Sequence, residues 1–349
     1  MAYTTINKST DNFNTVTFTG TNGSGQSITG VGFQPDWLWI KHRTDVSTHR
    51  IQDAVRGSTK IIASNSTVAE STSSDSVTSF DSDGFTHGTN SAIDATGNVV
   101  AWNWKANGSG SSNTDGSATS TVSVNTTAGF SIVKYTNQNV KTIGHGLGVV
   151  PKVLIGKCTS GGSAWVFASA DLLGSWDKYL LLNSTNAIGT ESRFFYPSSA
   201  APTNSVFSSD QSAWSAGGSA TENMICYAFA EKKGYSKFGS YTGNGNADGT
   251  FVYTGFKPSW LMYKRTDSAH GWFMLDNKRD TFNVSYKMLR AESSGAEDTG
   301  SSPVVDFLSN GFKMRNAYTS ANASGGTYIY MAFAESPFTN SNGVPTNAR

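Results

Sequence analysis

Five histidines are the first residues that could do chemistry: His42, His49, His87, His145 and His270. His145 lies in Gly144-His145-Gly146-Leu147-Gly148, just ahead of an apolar segment. A catalytic base needs a nucleophile or acid within reach, and a metal ion needs two or three further ligands. Related segments elsewhere in the chain put Thr29-Gly30-Val31 and Tyr253-Thr254 near that spot, so His145 is expected to serve a turn. Glycoside hydrolysis would need two carboxylates facing across a cleft. Glu70, Glu191, Glu222, Glu292 and Glu297 are scattered and read as unrelated repeat positions. Glu231 and Glu335 recur at a strand end and read as structural ion pairs. Asp53 with Arg56 and Asp276 with Arg279 read as local pairs pinning a turn. No Gly-x-Ser-x-Gly elbow, phosphate-cradling loop or dinucleotide fingerprint is present. Cys158 and Cys226, the two cysteines, form no disulfide framework and are expected to be small buried hydrophobes. The expectation is a non-enzyme with no catalytic residue, no metal and no cofactor.

The composition narrows the class. Charged residues make up 15% of the 349, against ~25% in an ordinary globular domain. Aromatics reach 12%, and since disordered chains lack aromatic and β-branched residues, this chain is expected to bury a core. A net charge of +1 without clustered Lys and Arg argues against nucleic acid as a partner. Lys41-His42-Arg43 is the densest basic spot of the first third and reads as the solvated end of a strand. No stretch approaches the ~20 apolar residues that a bilayer span needs, so membrane insertion is not expected. The opening Met1-Ala2-Tyr3-Thr4-Thr5-Ile6-Asn7-Lys8 has no apolar leader core, which predicts synthesis in a cytoplasm.

Internal repetition is the most informative feature. Gly32-Phe33-Gln34-Pro35-Asp36-Trp37-Leu38-Trp39-Ile40-Lys41 and Gly255-Phe256-Lys257-Pro258-Ser259-Trp260-Leu261-Met262-Tyr263-Lys264 share Gly, Phe, Pro, Trp, Leu and Lys in register. A fainter version is Gly148-Val149-Val150-Pro151-Lys152-Val153-Leu154-Ile155-Gly156-Lys157. Four further anchors follow in constant order. The Asp-x-x-Arg strand end is absent from the middle copy, which keeps only Trp165-Val166-Phe167. Lys-led strands begin at Lys60, Lys178 and Lys287, and Phe85, Phe207 and Phe312 come next. Closing strands run over Val99 to Lys105, Met224 to Glu231 and Tyr328 to Glu335. The repeat units lie near residues 13–106, 129–232 and 238–336. A period this long exceeds solenoid repeats, so each unit is expected to be its own small domain.

Short period-two runs such as Phe130-Ser131-Ile132-Val133-Lys134-Tyr135, punctuated by Gly- and Asn-rich turns, predict an all-β chain of three tandem antiparallel β-sandwich units. A jelly-roll connection fits, although strand order is not readable. The predicted division is unit 1 over 1–106, a Gly/Ser/Thr/Asn linker over 107–128, unit 2 over 129–233, unit 3 over 234–338 and a polar tail over 339–349. Trp176, Tyr196 and Trp214 have no counterparts in the other units and sit in or beside turn-rich segments. They are therefore the candidates for stacking on sugar rings, with an interface role as the plainer reading.

Several long phrases carry a resemblance. They include Ile28-Thr29-Gly30-Val31-Gly32-Phe33-Gln34-Pro35, Thr78-Ser79-Phe80-Asp81-Ser82-Asp83-Gly84-Phe85 and Gly234-Tyr235-Ser236-Lys237-Phe238-Gly239-Ser240-Tyr241-Thr242-Gly243-Asn244-Gly245. In them the chain resembles virion structural proteins of tailed phages that infect marine cyanobacteria and other marine bacteria. The resemblance implies a lectin-like fold, a place in the virion, and a role as a tail-fibre or appendage component contacting the host surface. It implies other virion proteins and copies of the chain itself as partners, a trimer among them. Host-surface glycans are the further expected ligand. The alternatives are a purely architectural head-decoration or tail-associated protein, and a glycan-degrading tail enzyme, which the missing paired acids disfavour.

Overall fold

The closing strand of each repeat returns to pair beside the opening one, and this sets the architecture. The computed structural model describes residues 4–214, 221–300, 304–340 and 342–346. In unit 1 the large sheet runs in the order Phe13–Gly20, Gly97–Trp104, Trp37–His42, Arg50–Asp53, Gly57–Ile62, Ser71–Thr72. Its small sheet is Gln26–Ile28, Gly84–His87, Val77–Asp81. Units 2 and 3 repeat the scheme, with Glu222–Phe229 between Phe130–Asn137 and Val153–Cys158, and Thr327–Pro337 between Ser236–Thr242 and Phe256–Arg265. Val140–Gly144 with Val206–Asp210, and Phe251–Tyr253 with Gly311–Met314 and Val305–Leu308, form their small sheets. Strand accounts for 45% and helix for 7%, so the protein is an all-β sandwich architecture.

Each large sheet is buried on both faces. Along Trp37-Leu38-Trp39-Ile40, Leu38 and Ile40 face the small sheet of unit 1, where Ile28, Val77 and Phe85 meet them. Trp37 and Trp39 face the other way, into a core shared with Ile155, Tyr227, Phe229, Trp260, Met331 and Phe333 of the other two units. Leu154 and Ile155 divide in the same manner in unit 2, and Leu261 and Met262 in unit 3. Four cores result, three private and one common. The expectation of separate small domains is therefore corrected: no unit encloses its own inner face. Two-sided burial explains why the closing strands are apolar at successive positions, as in Met224-Ile225-Cys226-Tyr227-Ala228-Phe229, where a half-exposed strand would alternate.

Two other expectations change. Residues 107–128 do not form a connector, because Ser111–Asn113 and Ser120–Asn125 extend the large sheet of unit 2. Val122 and Val124, two apart, place their side chains in or against the private core of that unit, which holds the segment down. In the tail, the Asn340 carboxamide accepts the amides of Asn342 and Val344 at 3.0 Å each, closing a turn.

Candidate functional site

The polar groups that sequence reasoning singled out converge on the junctions between units. At the end of the strand Arg50–Asp53, Asp53 Oδ1 accepts the amides of Val55 (3.1 Å) and Arg56 (2.9 Å). Its Oδ2 takes Arg56 Nε at 2.6 Å and the hydroxyl of Tyr227, from unit 2, at 2.8 Å. Arg56 continues to Glu70 at 3.0 Å and to the Ile51 carbonyl at 3.1 Å. Unit 3 repeats this atom for atom. Asp276 caps Lys278 and Arg279, binds Arg279 Nε at 2.6 Å, and receives Trp102 Nε1–H from unit 1 at 2.9 Å. Arg279 then reaches Glu297 at 2.8 Å. Glu70 and Glu297, read from sequence as unrelated, are thus the same position.

The middle unit shows what the network is for. One residue past the Leu154–Ala168 pair, Ser169 stands where Asp53 faces Trp37, and its hydroxyl accepts Leu172 N at 3.3 Å. Leu172 occupies the arginine position and packs against the shared core. Ile188 occupies the glutamate position, since its amide reaches Thr266 O (3.0 Å) as Glu70 N reaches Thr159 O (2.9 Å) and Glu297 N reaches Arg43 O (2.7 Å). Met331 of unit 3 takes the place of Tyr227 and Trp102 in register. All four polar members are replaced together by Ser, Leu, Ile and Met. A structural brace tolerates that substitution, because a buried ion pair and a well-packed apolar set are near-equivalent in stability.

A second set of junction contacts closes a ring. Trp165 Nε1–H donates to Ala63 O of unit 1 at 2.8 Å, and Trp272 Nε1–H donates to Leu181 O of unit 2 at 2.9 Å. His49 holds the same position in unit 1. Its Nδ1 accepts Trp39 Nε1–H at 2.8 Å, so Nε2 carries the hydrogen and reaches Arg290 O of unit 3 at 3.0 Å. Unit 2 thus grips unit 1, unit 3 grips unit 2, and unit 1 grips unit 3. Beside these rings Lys41, Lys157 and Lys264 are fully buried, each donating to the carbonyl of the next residue. Burial brings each of them down to about 8. Lys41-His42-Arg43 is consequently no solvated strand end: Lys41 and His42 are enclosed, and Arg43 forms a bidentate pair with Glu297.

His49 makes the ring sensitive to acid. Burial, with the charge of Lys41 adding to it, lowers its pKa from 6.5 to about 3. The folded state therefore holds a neutral imidazole. Its contribution is intact above pH 6.5 and is lost as pH falls from there toward 3, by about 2 kcal/mol at pH 5. Units 2 and 3 carry Ile155 with Trp165 and Met262 with Trp272 in place of Trp39 with His49. The double variant Trp39→Met/His49→Trp should thus flatten the fall of the urea midpoint between pH 7 and pH 5. An unchanged pH slope would show that other groups carry it.

The remaining candidates are placed as follows. His145 is buried; Nδ1 accepts Leu147 N at 3.2 Å and Nε2 lies 3.2 Å from Thr203 O. Burial lowers its pKa. Cys158 and Cys226 are free and enclosed in the private core of unit 2. Glu231 pairs with Lys152 and Lys237, and Glu335 with Lys257. Trp214 must be withdrawn as a stacking platform. It is 3% exposed, wedged against Phe194 and Phe195, with Nε1–H directed at Ser209 Oγ. Trp176 packs half-buried on the same core, and Tyr196 sits half-buried ahead of the short turn Pro197–Ser199. The structure does not gather the three into one exposed cluster.

Exposed aromatics lie elsewhere. Among the described residues they are Phe251, Tyr253, Phe282, Tyr286, Tyr318 and Phe338, all of unit 3. Sequence reasoning missed them because it looked for aromatics that a shared core could not explain in unit 2. The extra length of unit 3 between Arg279 and Lys287 was the available signal: 287 − 279 = 8 positions, against 60 − 56 = 4 in unit 1.

Fold and junctions together define an all-β protein of three cyclically braced sandwich units. The chain belongs to the family described as a domain of unknown function (DUF7483), which matches residues 8–337. No curated protein and no solved structure matches it. No helix among the described residues is long and apolar enough to cross a membrane, and none of their His, Cys, Asp and Glu side chains form a group suited to a metal ion.

Proposed function

We propose that this chain is a structural protein of a tailed-phage virion, a tail-fibre or appendage component that contacts the host surface. The observation that carries the reading is an asymmetry. Buried charges and ring N–H groups brace three units into one block, while the exposed aromatics are confined to one of them. A braced block whose exposed aromatics are confined to one unit suits a surface appendage, where exposed apolar patches mark contact sites. The phrase-level resemblance to marine phage virion proteins supports the same reading. Partners are other virion proteins and further copies of the chain, arranged to the symmetry of the particle.

The test is immunogold electron microscopy of phage particles, combined with adsorption of those particles to host cells in the presence of purified protein. Surface labelling with slowed adsorption is the expected result. Labelling without competition would favour the purely architectural alternative, which the cross-braced core also suits. Absence of the protein from purified particles would overturn both.

A further inference from the structure

We propose that a surface cleft in unit 3, floored by Asn277 and rimmed by Phe282, binds a neutral saccharide. This site rests on the surface-contact reading above and gives it a ligand class. The cleft has a volume of about 610 Å³, within the range of roughly 300–1,000 Å³ typical of small-molecule sites.

Its floor is the braced turn. Asp276 caps the amides of Lys278 and Arg279, and Asn277 N donates to Ser259 O at 2.9 Å, so the backbone that carries the Asn277 side chain is fixed. Asn277 Oδ1 is shielded from solvent and has no hydrogen-bond partner among the described residues. A carboxamide turned so that this oxygen faces the cleft would take its missing donor from a ligand hydroxyl. The rim is the longer loop peculiar to unit 3. Asp280 anchors it through the amides of Tyr286 (2.7 Å) and Lys287 (2.6 Å). Asn283 exchanges two bonds with the backbone of Phe307, each 3.0 Å. With both ends fixed, Phe282 stands 84% exposed over the cleft.

Charge selects the ligand class. Lys257 and Glu335 line the cleft as a 2.7 Å ion pair, and the carboxylate of Asp280 takes two backbone amides on Oδ2 and pairs with Lys287 Nζ, 3.5 Å from Oδ1. The walls thus carry donors and acceptors without a free charge to hold an anion or a cation. An aromatic face beside neutral amides and a satisfied ion pair fits a sugar ring, whose C–H face stacks while its hydroxyls bridge polar groups. An all-apolar ligand would leave the Lys257–Glu335 ion pair unsolvated.

The experiment uses the full-length protein on an array of neutral and acidic oligosaccharides, followed by calorimetric titration of the best neutral ligand. Phe282→Ala and Asn277→Ala should each weaken that binding about tenfold or more. Tyr253→Ala, at an exposed aromatic outside the cleft, should leave it unchanged. Phe282 is solvent-exposed, so its variant should keep the wild-type melting temperature and report on binding alone. No neutral ligand for the wild type, binding confined to acidic glycans, or binding indifferent to Phe282→Ala would overturn the site. Immunogold labelling does not depend on the cleft, so the virion reading and the saccharide site fail separately.

Discussion

Asp53→Ala should destabilise the protein by about 3–5 kcal/mol, the usual penalty for stranding one member of a buried ion pair. Arg56 would keep Glu70 at 3.0 Å but lose its closest partner, Tyr227 would lose its acceptor, and two turn amides would be uncapped. The informative comparison is the quadruple variant Asp53→Ser/Arg56→Leu/Glu70→Ile/Tyr227→Met, which installs the set found naturally as Ser169, Leu172, Ile188 and Met331. It should recover most of the loss and lie within about 2 kcal/mol of wild type, because the four members form one coupled unit. Urea denaturation of the single and quadruple variants measures this. A quadruple variant as unstable as Asp53→Ala would mean that the charges do something besides brace the junction.

Phe333→Ala is the second large effect, expected at about 3–5 kcal/mol. Its ring meets Phe13 and Trp104 of unit 1, Phe229 of unit 2, and Tyr235, Phe238 and Trp260 of unit 3, with centroids 5.1–6.2 Å away. No single unit owns the cavity that the substitution would leave. The wild type should therefore unfold in one cooperative transition, and the variant should expose all three units to protease together. Three separable transitions, with only unit 3 weakened, would show that the shared core does not couple the units.

Much of this was legible in the chain. Four of the five anchors located large-sheet strands and the fourth in order, at Phe85, Phe207 and Phe312, a small-sheet strand, because strand periodicity and Gly- or Asn-rich turns are local properties. What stayed hidden was long-range. Tyr227 and Asp53 are 174 positions apart, as are Trp102 and Asp276, and no local pattern announces such a pairing. The loss of Asp-x-x-Arg from unit 2 was visible, but its meaning required knowing that Met331 holds in unit 3 the position of Tyr227 and Trp102. The shared core had a readable sign that went unused. Val99-Val100-Ala101-Trp102 and Tyr328-Ile329-Tyr330-Met331 are apolar without alternation, which indicates burial on both faces. Trp214 misled for the converse reason: a residue with no counterpart in its sister units can still fill a private core.

The three units belong to one covalent chain, and this has a consequence for valency. Three separate copies of a single unit, assembled in the same ring, would each carry the loop between Arg279 and Lys287 and would present three clefts. The fused chain is free to differ at each position, and it displays that loop once. For the saccharide site proposed in that loop, each molecule would then be monovalent, unable to rebind through a second copy of the site before diffusing away. In the proposed surface-contact role, avidity would come from the number of chains mounted together and the spacing between them, so one molecule alone should release its ligand readily while an array of them holds.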